Sequence, residues 1–238
     1  MIEFSNVQFG YGRQQLMNDV SLQLHSGHIY GLLGENGAGK TTLLKMIAGL
    51  VFAQKGSVTT LQHNPQKRQP SLLSQLYLVA EDTYTPNVSA RTYASTYGVF
   101  YPKFEENTFF DYLQKFGVNP DQKLEKVSFG QRKKMVISFA LATNVPLLLM
   151  DEPTNGLDIP SKSTFRQLAA EAATPERCII ISTHQVRDLE RLIDSVVVLH
   201  RGKIVLHEDL NALADAGQQP DLEAFFKDSL KTYSPQAV

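Results

Sequence analysis

Residues 34–42 read Gly34-Glu35-Asn36-Gly37-Ala38-Gly39-Lys40-Thr41-Thr42 and meet the G-x-x-x-x-G-K-[ST] pattern at every required position. An apolar run from Ile29 to Leu33 precedes them, and from Thr41 to Ala48 the apolar residues recur at helical spacing. Strand, loop and helix therefore follow one another in the order that a phosphate-binding loop requires. The segment is predicted to hold the phosphates of a nucleotide.

The residue types in this loop suit a polyanion. Glycines let the backbone curl so that successive N–H groups point inward, and the first turn of the next helix adds unpaired donors and the positive end of its dipole. Lys40 can supply a positive charge for the β- and γ-phosphates of a nucleotide, and the Thr41 hydroxyl can be a ligand for the Mg²⁺ that bridges them. The predicted nucleotide-binding residues of the loop are Gly34, Asn36, Gly37, Ala38, Gly39, Lys40, Thr41 and Thr42.

Composition and charge narrow the function classes. The 238 residues carry a formal net charge of -1, so no overall basic field argues for a nucleic-acid partner. The single cysteine, Cys178, lies beside an isoleucine run and is predicted to be a buried structural thiol, which fits a reducing compartment. We expect no secretory signal, because the amino terminus has neither a basic start nor a continuous apolar core. We also expect no membrane span, because the longest apolar runs, such as 145–150, fall far short of the roughly 20 residues that a bilayer needs.

Hydrophobic patterning changes along the chain. Alternating apolar residues from Ile2 to about Gly31 predict antiparallel strands, whereas residues from about 85 to 144 are rich in aromatics at helical spacing and are predicted to form a helical insertion at the edge of the sheet. The last third alternates continuous apolar runs with amphipathic helices, which indicates a largely parallel sheet covered on both faces. Apolar residues near the carboxyl end, from Leu222 to Leu230, predict a final helix that packs on the core. We therefore expect one α/β domain over 1–238, with a mostly parallel sheet, an antiparallel amino-terminal part and a helical subdomain.

Two acids end one of the buried strands. Leu147-Leu148-Leu149-Met150 is followed by Asp151 and Glu152, which places both carboxylates at the edge of the sheet where α/β proteins bind ligands. Asp151 is predicted to hold Mg²⁺, directly or through water. Glu152 is expected to be extended because Pro153 follows it, so that its side chain points away from that of Asp151 and acts on water.

A short segment between the loop and these acids resembles a family signature. Val127-Ser128-Phe129-Gly130-Gln131 resembles the L-S-G-G-Q sequence of ATP-binding cassette (ABC) proteins, and it precedes the acid-tipped strand as it does in that family. Ser128 and Gln131 also fit a capping box that opens a helix, and both interpretations can hold together. The resemblance implies that Ser128, Gly130 and Gln131 contact the γ-phosphate bound by a second subunit.

Other positions extend the resemblance from Tyr11 to about Gly202. Tyr11 resembles the aromatic residue that stacks on adenine, although a tyrosine in a turn is the alternative interpretation. Asp158, in Gly156-Leu157-Asp158, resembles the loop that crosses the dimer interface. His184 resembles the switch histidine that hydrogen-bonds the γ-phosphate and steadies the attacking water.

The sequence departs from the family pattern at two positions. Glu81 stands where the family usually has a glutamine that senses Mg²⁺, and its carboxylate could still reach the metal. Phe129 replaces the first signature glycine; it would strain the site if φ must be positive there, and costs little in the first turn of a helix. The basic run 132–134 that follows is expected to be a solvated helix face, and positive charge near a neighbouring nucleotide is the alternative interpretation.

The resemblance implies the ATP-binding and ATP-hydrolysing subunit of an ABC membrane transporter with a P-loop NTPase fold of cassette type. Glu152 would be the general base, and Lys40, His184 and Mg²⁺ would stabilise the developing charge. The expected partners are an integral membrane permease, which would hold the chain peripherally on the cytoplasmic face of the membrane, and a second nucleotide-binding subunit in a homodimer or heterodimer. Alternatives are a soluble ABC ATPase that acts on nucleic acid or the ribosome, and a regulatory cassette with little turnover.

Overall fold

A computed structural model of the chain describes residues 1–189, 191–216 and 221–232; the other positions of the predicted 1–238 domain lie outside the described residues. The strands are β1 (Ile2–Tyr11), β2 (Gln14–Leu24), β3 (Ile29–Leu33), β4 (Lys55–Thr60), β5 (Leu76–Val79), β6 (Leu147–Asp151), β7 (Cys178–Thr183), β8 (Ser195–His200) and β9 (Lys203–Asp209). The α-helices are α1 (Lys40–Ile47), α2 (Pro70–Leu73), α3 (Ala90–Tyr97), α4 (Glu106–Lys115), α5 (Phe129–Ala142), α6 (Ile159–Glu171), α7 (Leu210–Asp215) and α8 (Leu222–Thr232). Within these residues no helix is both long enough and apolar enough to span a lipid bilayer.

The strands form two sheets. A three-stranded antiparallel sheet has the order β2-β1-β4, as the alternation near the amino terminus predicts. A six-stranded sheet has the order β5-β6-β7-β3-β8-β9, in which β9 runs antiparallel to β8 and the other pairs are parallel. The predicted α/β class with a mostly parallel sheet and an antiparallel part is confirmed.

Each parallel strand contributes side chains to two apolar cores, because successive side chains point to opposite faces of the sheet. On β7, Ile179 and Ile181 belong to a core shared with α5 and α6, whereas Cys178 and Ile180 belong to a core shared with α1 and the antiparallel sheet. Burial on both faces explains why these strands read as continuous apolar runs. Cys178 is fully buried, and burial raises the pKa of its thiol to about 12, as expected for a structural cysteine.

The aromatic region 85–144 contains α3, α4 and α5. Phe139 of α5 is fully buried among rings from the neighbouring segments, including an edge-to-face contact with Tyr93 at 4.9 Å between centroids. These helices share the core of β6 and β7 rather than only bordering the edge strand β5. At the carboxyl end, Phe225 and Phe226 of α8 pack on the same core, as predicted.

Candidate functional site

The loop 34–39 connects β3 to α1 and lines a cleft. Gly39, the N-cap of α1, has φ +108°, a conformation that residues with a Cβ rarely adopt. A Cβ on Gly34 would lie 2.5 Å from the carbonyl oxygen of Leu199, so β8 approaches the loop too closely for any other residue. The cleft has a volume of about 530 Å³ and is lined by Leu16, Asn36, Gly37, Ala38, Gly39, Lys40, Thr41, Thr42, Glu81, Glu152, Asn155 and His184.

Lys40 lies inside the loop that precedes it. Its Nζ donates to the carbonyl oxygens of Gly34 at 2.8 Å and Glu35 at 3.3 Å, and lies 3.8 Å from Oε1 of Glu152. The residue is only 7% exposed. Burial lowers the pKa of Lys40, while the nearby carboxylates of Glu152 and Asp151 act in the opposite direction. A cation held in this way by backbone carbonyls is pre-positioned for phosphate oxygens.

Asp151 is the last residue of β6 and lies beside Thr41, the second residue of α1. Its Oδ2 accepts a hydrogen bond from Thr41 Oγ1 at 2.7 Å, and its Oδ1 accepts one from Ser182 Oγ at 2.5 Å. Thr41 and Asp151 therefore bring two hard oxygen donors together, which is the ligand chemistry that Mg²⁺ prefers when phosphate oxygens and waters complete its shell. No group of three or more His, Cys, Asp and Glu residues that could hold a metal occurs in the described part of the chain.

Glu152 differs from its predicted conformation. Its φ is +45°, so the expectation of an extended residue was wrong. The reason is tertiary: the Glu152 N–H donates to the neighbouring strand, to Ser182 O at 3.1 Å and Ser182 Oγ at 3.3 Å, which outweighs the local bias from Pro153. The side chains of Asp151 and Glu152 nevertheless diverge, because Asp151 contacts Thr41 and Ser182 while Glu152 turns to the end of β7.

The Glu152 carboxylate is buried and has several donors. Its Oε1 accepts from the His184 backbone N–H at 3.0 Å and lies 2.8 Å from His184 Nδ1, and its Oε2 accepts from Thr183 Oγ1 at 3.1 Å. Glu152 is 6% exposed, whereas the His184 side chain is 34% exposed at the cleft. With Glu152 ionised, His184 carries its ring proton on Nδ1, which leaves Nε2 as the acceptor.

Glu81 faces the same cleft from the segment after β5. Its Oε1 accepts a hydrogen bond from Asn155 Nδ2 at 2.9 Å. Glu81 therefore contacts the turn that follows Glu152 rather than Thr41 or Asp151, and its role as a metal ligand stays a prediction.

The signature segment lies at the start of α5, away from this cleft. Ser128 is the N-cap, and its Oγ accepts from the Gln131 backbone N–H at 3.2 Å, as the capping pattern predicts. Phe129 is the first helical residue, has no positive φ and is 46% exposed. The substitution of glycine by Phe129 therefore causes no backbone strain.

Four further predicted site residues lie outside the lining of the cleft. Gly130 and Gln131 occupy the first turn of α5, and Asp158 is the N-cap of α6, where its Oδ1 accepts from the Ser161 N–H at 2.8 Å. Hydrogen bonds from the side chain and the backbone N–H of Ser161 lower the pKa of Asp158, and the Lys134 ammonium contributes in the same direction. Tyr11, 56% exposed at the end of β1, packs edge-to-face against Phe9. The predicted nucleotide contacts of these four residues stay predictions.

The expectation that residues 132–134 form a solvated face was wrong for Lys133. This lysine is 6% exposed, and its Nζ donates to the carbonyl oxygens of Glu152 at 2.6 Å and Asn155 at 3.1 Å. Sequence reasoning also missed Asn155 and Ser182, which contact predicted site residues directly. The sequence carried no residue-type signal for the burial of Lys133, because this lysine stands in a basic run and its partners are backbone carbonyls.

Comparison with known proteins places these features in a family. The family profile described as ABC transporter matches residues 17–155. The ABC transporter ATP-binding protein NatA of Bacillus subtilis is 31% identical over 223 residues, covering 90% of each chain. The lantibiotic transport ATP-binding protein SrtF of Streptococcus pyogenes is 29% identical, covering 88% of this chain and 91% of the relative.

Solved structures agree with this in fold. The ATP-binding subunit of an ABC transporter superposes with a TM-score of 0.84 at 23% identity, covering 97% of this chain and 99% of that chain. A dimeric post-hydrolysis state of the ATP-binding cassette MJ0796 bound to ADP and Pi has a TM-score of 0.76 at 21% identity, covering 88% and 99%.

Proposed function

This chain belongs to the ABC transporter family as an ATP-binding and ATP-hydrolysing subunit, and we propose that its cleft carries out hydrolysis with Glu152 as the general base. The observation that carries this proposal is the convergence of three side chains: the Glu152 carboxylate lies 3.8 Å from Lys40 Nζ and 2.8 Å from His184 Nδ1. The Lys40 ammonium, which would bind phosphate, the Glu152 carboxylate and the His184 imidazole therefore lie on one wall of the cleft.

The loop residues account for nucleotide binding. Backbone N–H groups of residues 36–42 and the amino end of α1 would cradle the phosphates, and Lys40 would neutralise the β- and γ-phosphates. Tyr11 would stack on the adenine. Thr41 and Asp151 would hold Mg²⁺, and Glu81 would contact the ion through a bound water. When bound, the ion would offset the negative charge of the phosphates.

The Glu152 carboxylate would accept a proton from the attacking water as the water approaches the γ-phosphorus. His184 would orient the reactants: its Nδ1–H holds Glu152, while its Nε2 side faces the cleft. Lys40 would stabilise charge on the phosphate oxygens in the transition state. The buried setting of Lys40 and Glu152 strengthens both interactions, since fixed charges act more strongly away from bulk water.

We propose that two subunits, identical or different, enclose the nucleotides between them. The amino end of α5, with Ser128, Gly130 and Gln131, and the loop at Asp158 would face the partner's γ-phosphate. Exposure of Ser128 and Phe129 in the single chain supports this, because such a surface is available for an interface. A helix N-terminus is a suitable anion site across that interface.

We propose that a separate membrane permease docks on the aromatic groove of the helical region, which would hold the chain at the cytoplasmic face of the membrane. The groove has a volume of about 460 Å³ and is lined by Pro70, Leu73, Ser74, Tyr77, Tyr93, Tyr97, Phe100, Tyr101 and Phe139. Phe100 is 63% exposed there. Relatives are named for the transport of lantibiotics and bacitracin, and we propose that the permease rather than this chain selects the cargo.

The test of the base is Glu152→Gln. The amide keeps the shape of the side chain but cannot take a proton, so steady-state ATP hydrolysis should fall by about 100-fold or more while ATP binding persists and an ATP-bound dimer accumulates in gel filtration. The matched control is Glu176→Gln, an exposed acid outside the cleft, which should hydrolyse ATP like the parent. Unchanged hydrolysis in Glu152→Gln would refute the role of this residue.

A second experiment tests the permease. The tagged chain is purified from gently solubilised membranes of its native cell, with Phe100→Asp as the variant, since a charge in the groove should oppose an apolar contact. We expect a polytopic membrane protein to accompany the parent chain and not the variant, with ATP binding equal in both. Recovery with ribosomal proteins or nucleic acid instead would contradict the transporter assignment.

A further inference from the structure

Lys133 projects from α5 into the turn that follows β6. Its Nζ donates to the carbonyl oxygens of Glu152 at 2.6 Å and Asn155 at 3.1 Å, and it lies 5.7 Å from the centre of the Phe129 ring. Only 6% of the residue is exposed. An ammonium group loses much of its hydration at such a site, so its retention there needs a compensating interaction or a function.

The turn held by Lys133 is the one that orients the candidate base. Glu152 has φ +45°, which is unfavourable for a residue with a Cβ, and its carbonyl oxygen also accepts the Asn155 N–H at 3.2 Å. Lys133 is thus a second donor to the same carbonyl, and it ties both ends of residues 152–155 to the signature helix.

The same turn is anchored on its other sides. Asn155 Nδ2 donates to Glu81, the acid in the segment after β5, at 2.9 Å. A Cβ on Gly156 would lie 3.0 Å from the Phe129 ring, so the aromatic residue that replaces a signature glycine packs on the turn as well. Burial lowers the pKa of Lys133, and the carboxylates of Glu81, Glu152 and Asp151 oppose this change.

We propose that Lys133 is a positioning residue for hydrolysis: it fixes the backbone of residues 152–155 so that the Glu152 carboxylate faces the cleft. The inference rests on the proposed function, because it assumes that Glu152 is the base. Lys133 touches neither the phosphate loop nor the carboxylate itself. Its effect should therefore fall on the rate of the chemical step and leave nucleotide binding nearly unchanged.

The first test is Lys133→Met, which keeps the length of the side chain and removes the donor and the charge. We expect kcat to fall by about 30-fold, since small displacements of a catalytic group cost up to about 100-fold, while the KM for ATP changes by less than about 3-fold. Lys55→Met, at an exposed position of β4, is the matched control and should leave both constants unchanged. A parent-like kcat in Lys133→Met would overturn the proposal.

A double-mutant cycle with Glu152→Gln separates positioning from other effects. If Lys133 acts through Glu152, then adding Lys133→Met to Glu152→Gln should change the residual rate by less than about 3-fold. An equal loss in both backgrounds would overturn the proposal, because Lys133 would then act independently of the base. If Glu152→Gln alone hydrolyses ATP normally, the proposed base fails instead, and the Lys133→Met rate still reports on Lys133.

Chemical rescue covers the case in which Lys133→Met does not fold. In Lys133→Cys, 2-bromoethylamine alkylates the introduced thiol and rebuilds a side chain of lysine length with a terminal ammonium. The alkylation is carried out in urea before refolding and in a Cys178→Ala background, because positions 133 and 178 are both buried in the native chain. Recovery of kcat after alkylation, but not after methylthiolation, is the expected result. If kcat does not recover, or if neither Lys133→Met nor Lys133→Cys folds, Lys133 contributes to the stability of the fold and the positioning role is overturned.

Discussion

Ser182 should control the dependence of hydrolysis on Mg²⁺, although it is not itself a predicted metal ligand. It is fully buried on β7, and its Oγ donates to Oδ1 of Asp151 at 2.5 Å, while the other carboxylate oxygen faces Thr41. Groups that orient a metal-binding carboxylate in this way typically change metal affinity by about 10- to 100-fold when removed. The perturbation is Ser182→Ala.

The magnitude follows from the bonds that are lost. A hydrogen bond to a charged acceptor contributes about 1.5–3 kcal/mol, and each 1.4 kcal/mol corresponds to about a factor of ten. The Glu152 N–H loses its contact with Ser182 Oγ but keeps the Ser182 carbonyl at 3.1 Å, so the turn should stay in place. We therefore expect the free Mg²⁺ concentration at half-maximal ATPase rate to rise about 30-fold, with the maximal rate largely recovered in excess Mg²⁺.

The assay measures ATP hydrolysis against free Mg²⁺ at saturating ATP. Ser138→Ala is the matched control: Ser138 is also fully buried, but its hydroxyl donates to the Lys134 carbonyl within α5, at 2.9 Å, rather than to a carboxylate. Ser138→Ala should cost about 1 kcal/mol of folding free energy and Ser182→Ala about 1.5–3 kcal/mol, and only Ser182→Ala should shift the Mg²⁺ midpoint. Equal midpoints in the two variants would refute the assignment of Asp151 as a metal ligand supported by Ser182.

Three further outcomes are expected. Arg177→Met should lower the free energy of unfolding by about 2–4 kcal/mol in urea denaturation, because this buried guanidinium donates to carbonyls at the ends of α5 and α6, and a parent-like midpoint would contradict this. Tyr11→Leu should raise the KM for ATP about 3- to 10-fold through lost stacking, whereas Tyr84→Leu, at a site 87% exposed, should not; equal constants would exclude adenine stacking. Cys178 should react with a thiol reagent at pH 8 only after unfolding, because a pKa of about 12 leaves about one thiolate in 10⁴ thiols, and rapid labelling of the native chain would show otherwise.

Local motifs explain why much of the fold was predictable. The loop 34–42 with its flanking strand and helix is a contiguous unit, so its glycines and its lysine carry the necessary geometry in sequence order. Strands buried on both faces read as apolar runs, and the position of Asp151 at a strand end followed directly from one such run. Capping of α5 by Ser128 was predictable for the same reason, since donor and acceptor are three residues apart.

The errors arose where distant segments meet. The positive φ of Glu152 depends on acceptors supplied by Ser182, 30 residues away in sequence. The burial of Lys133 depends on carbonyls 19 and 22 residues further along the chain. Backbone acceptors leave no residue-type signal, so a lysine that serves them looks like any other lysine on a helix.

The two proposals together imply a mechanical link between nucleotide sites. Ser128 begins α5 and would face the nucleotide of the second subunit, whereas Lys133, about one turn further along, holds the turn that carries the base for this chain's own nucleotide. A helix transmits displacement along its axis because its hydrogen bonds keep it rigid over such a length. Contact of Ser128 with the nucleotide bound by the second subunit would therefore be transmitted through Lys133 to Glu152. Closure of one nucleotide site would in this way orient the Glu152 carboxylate in the other.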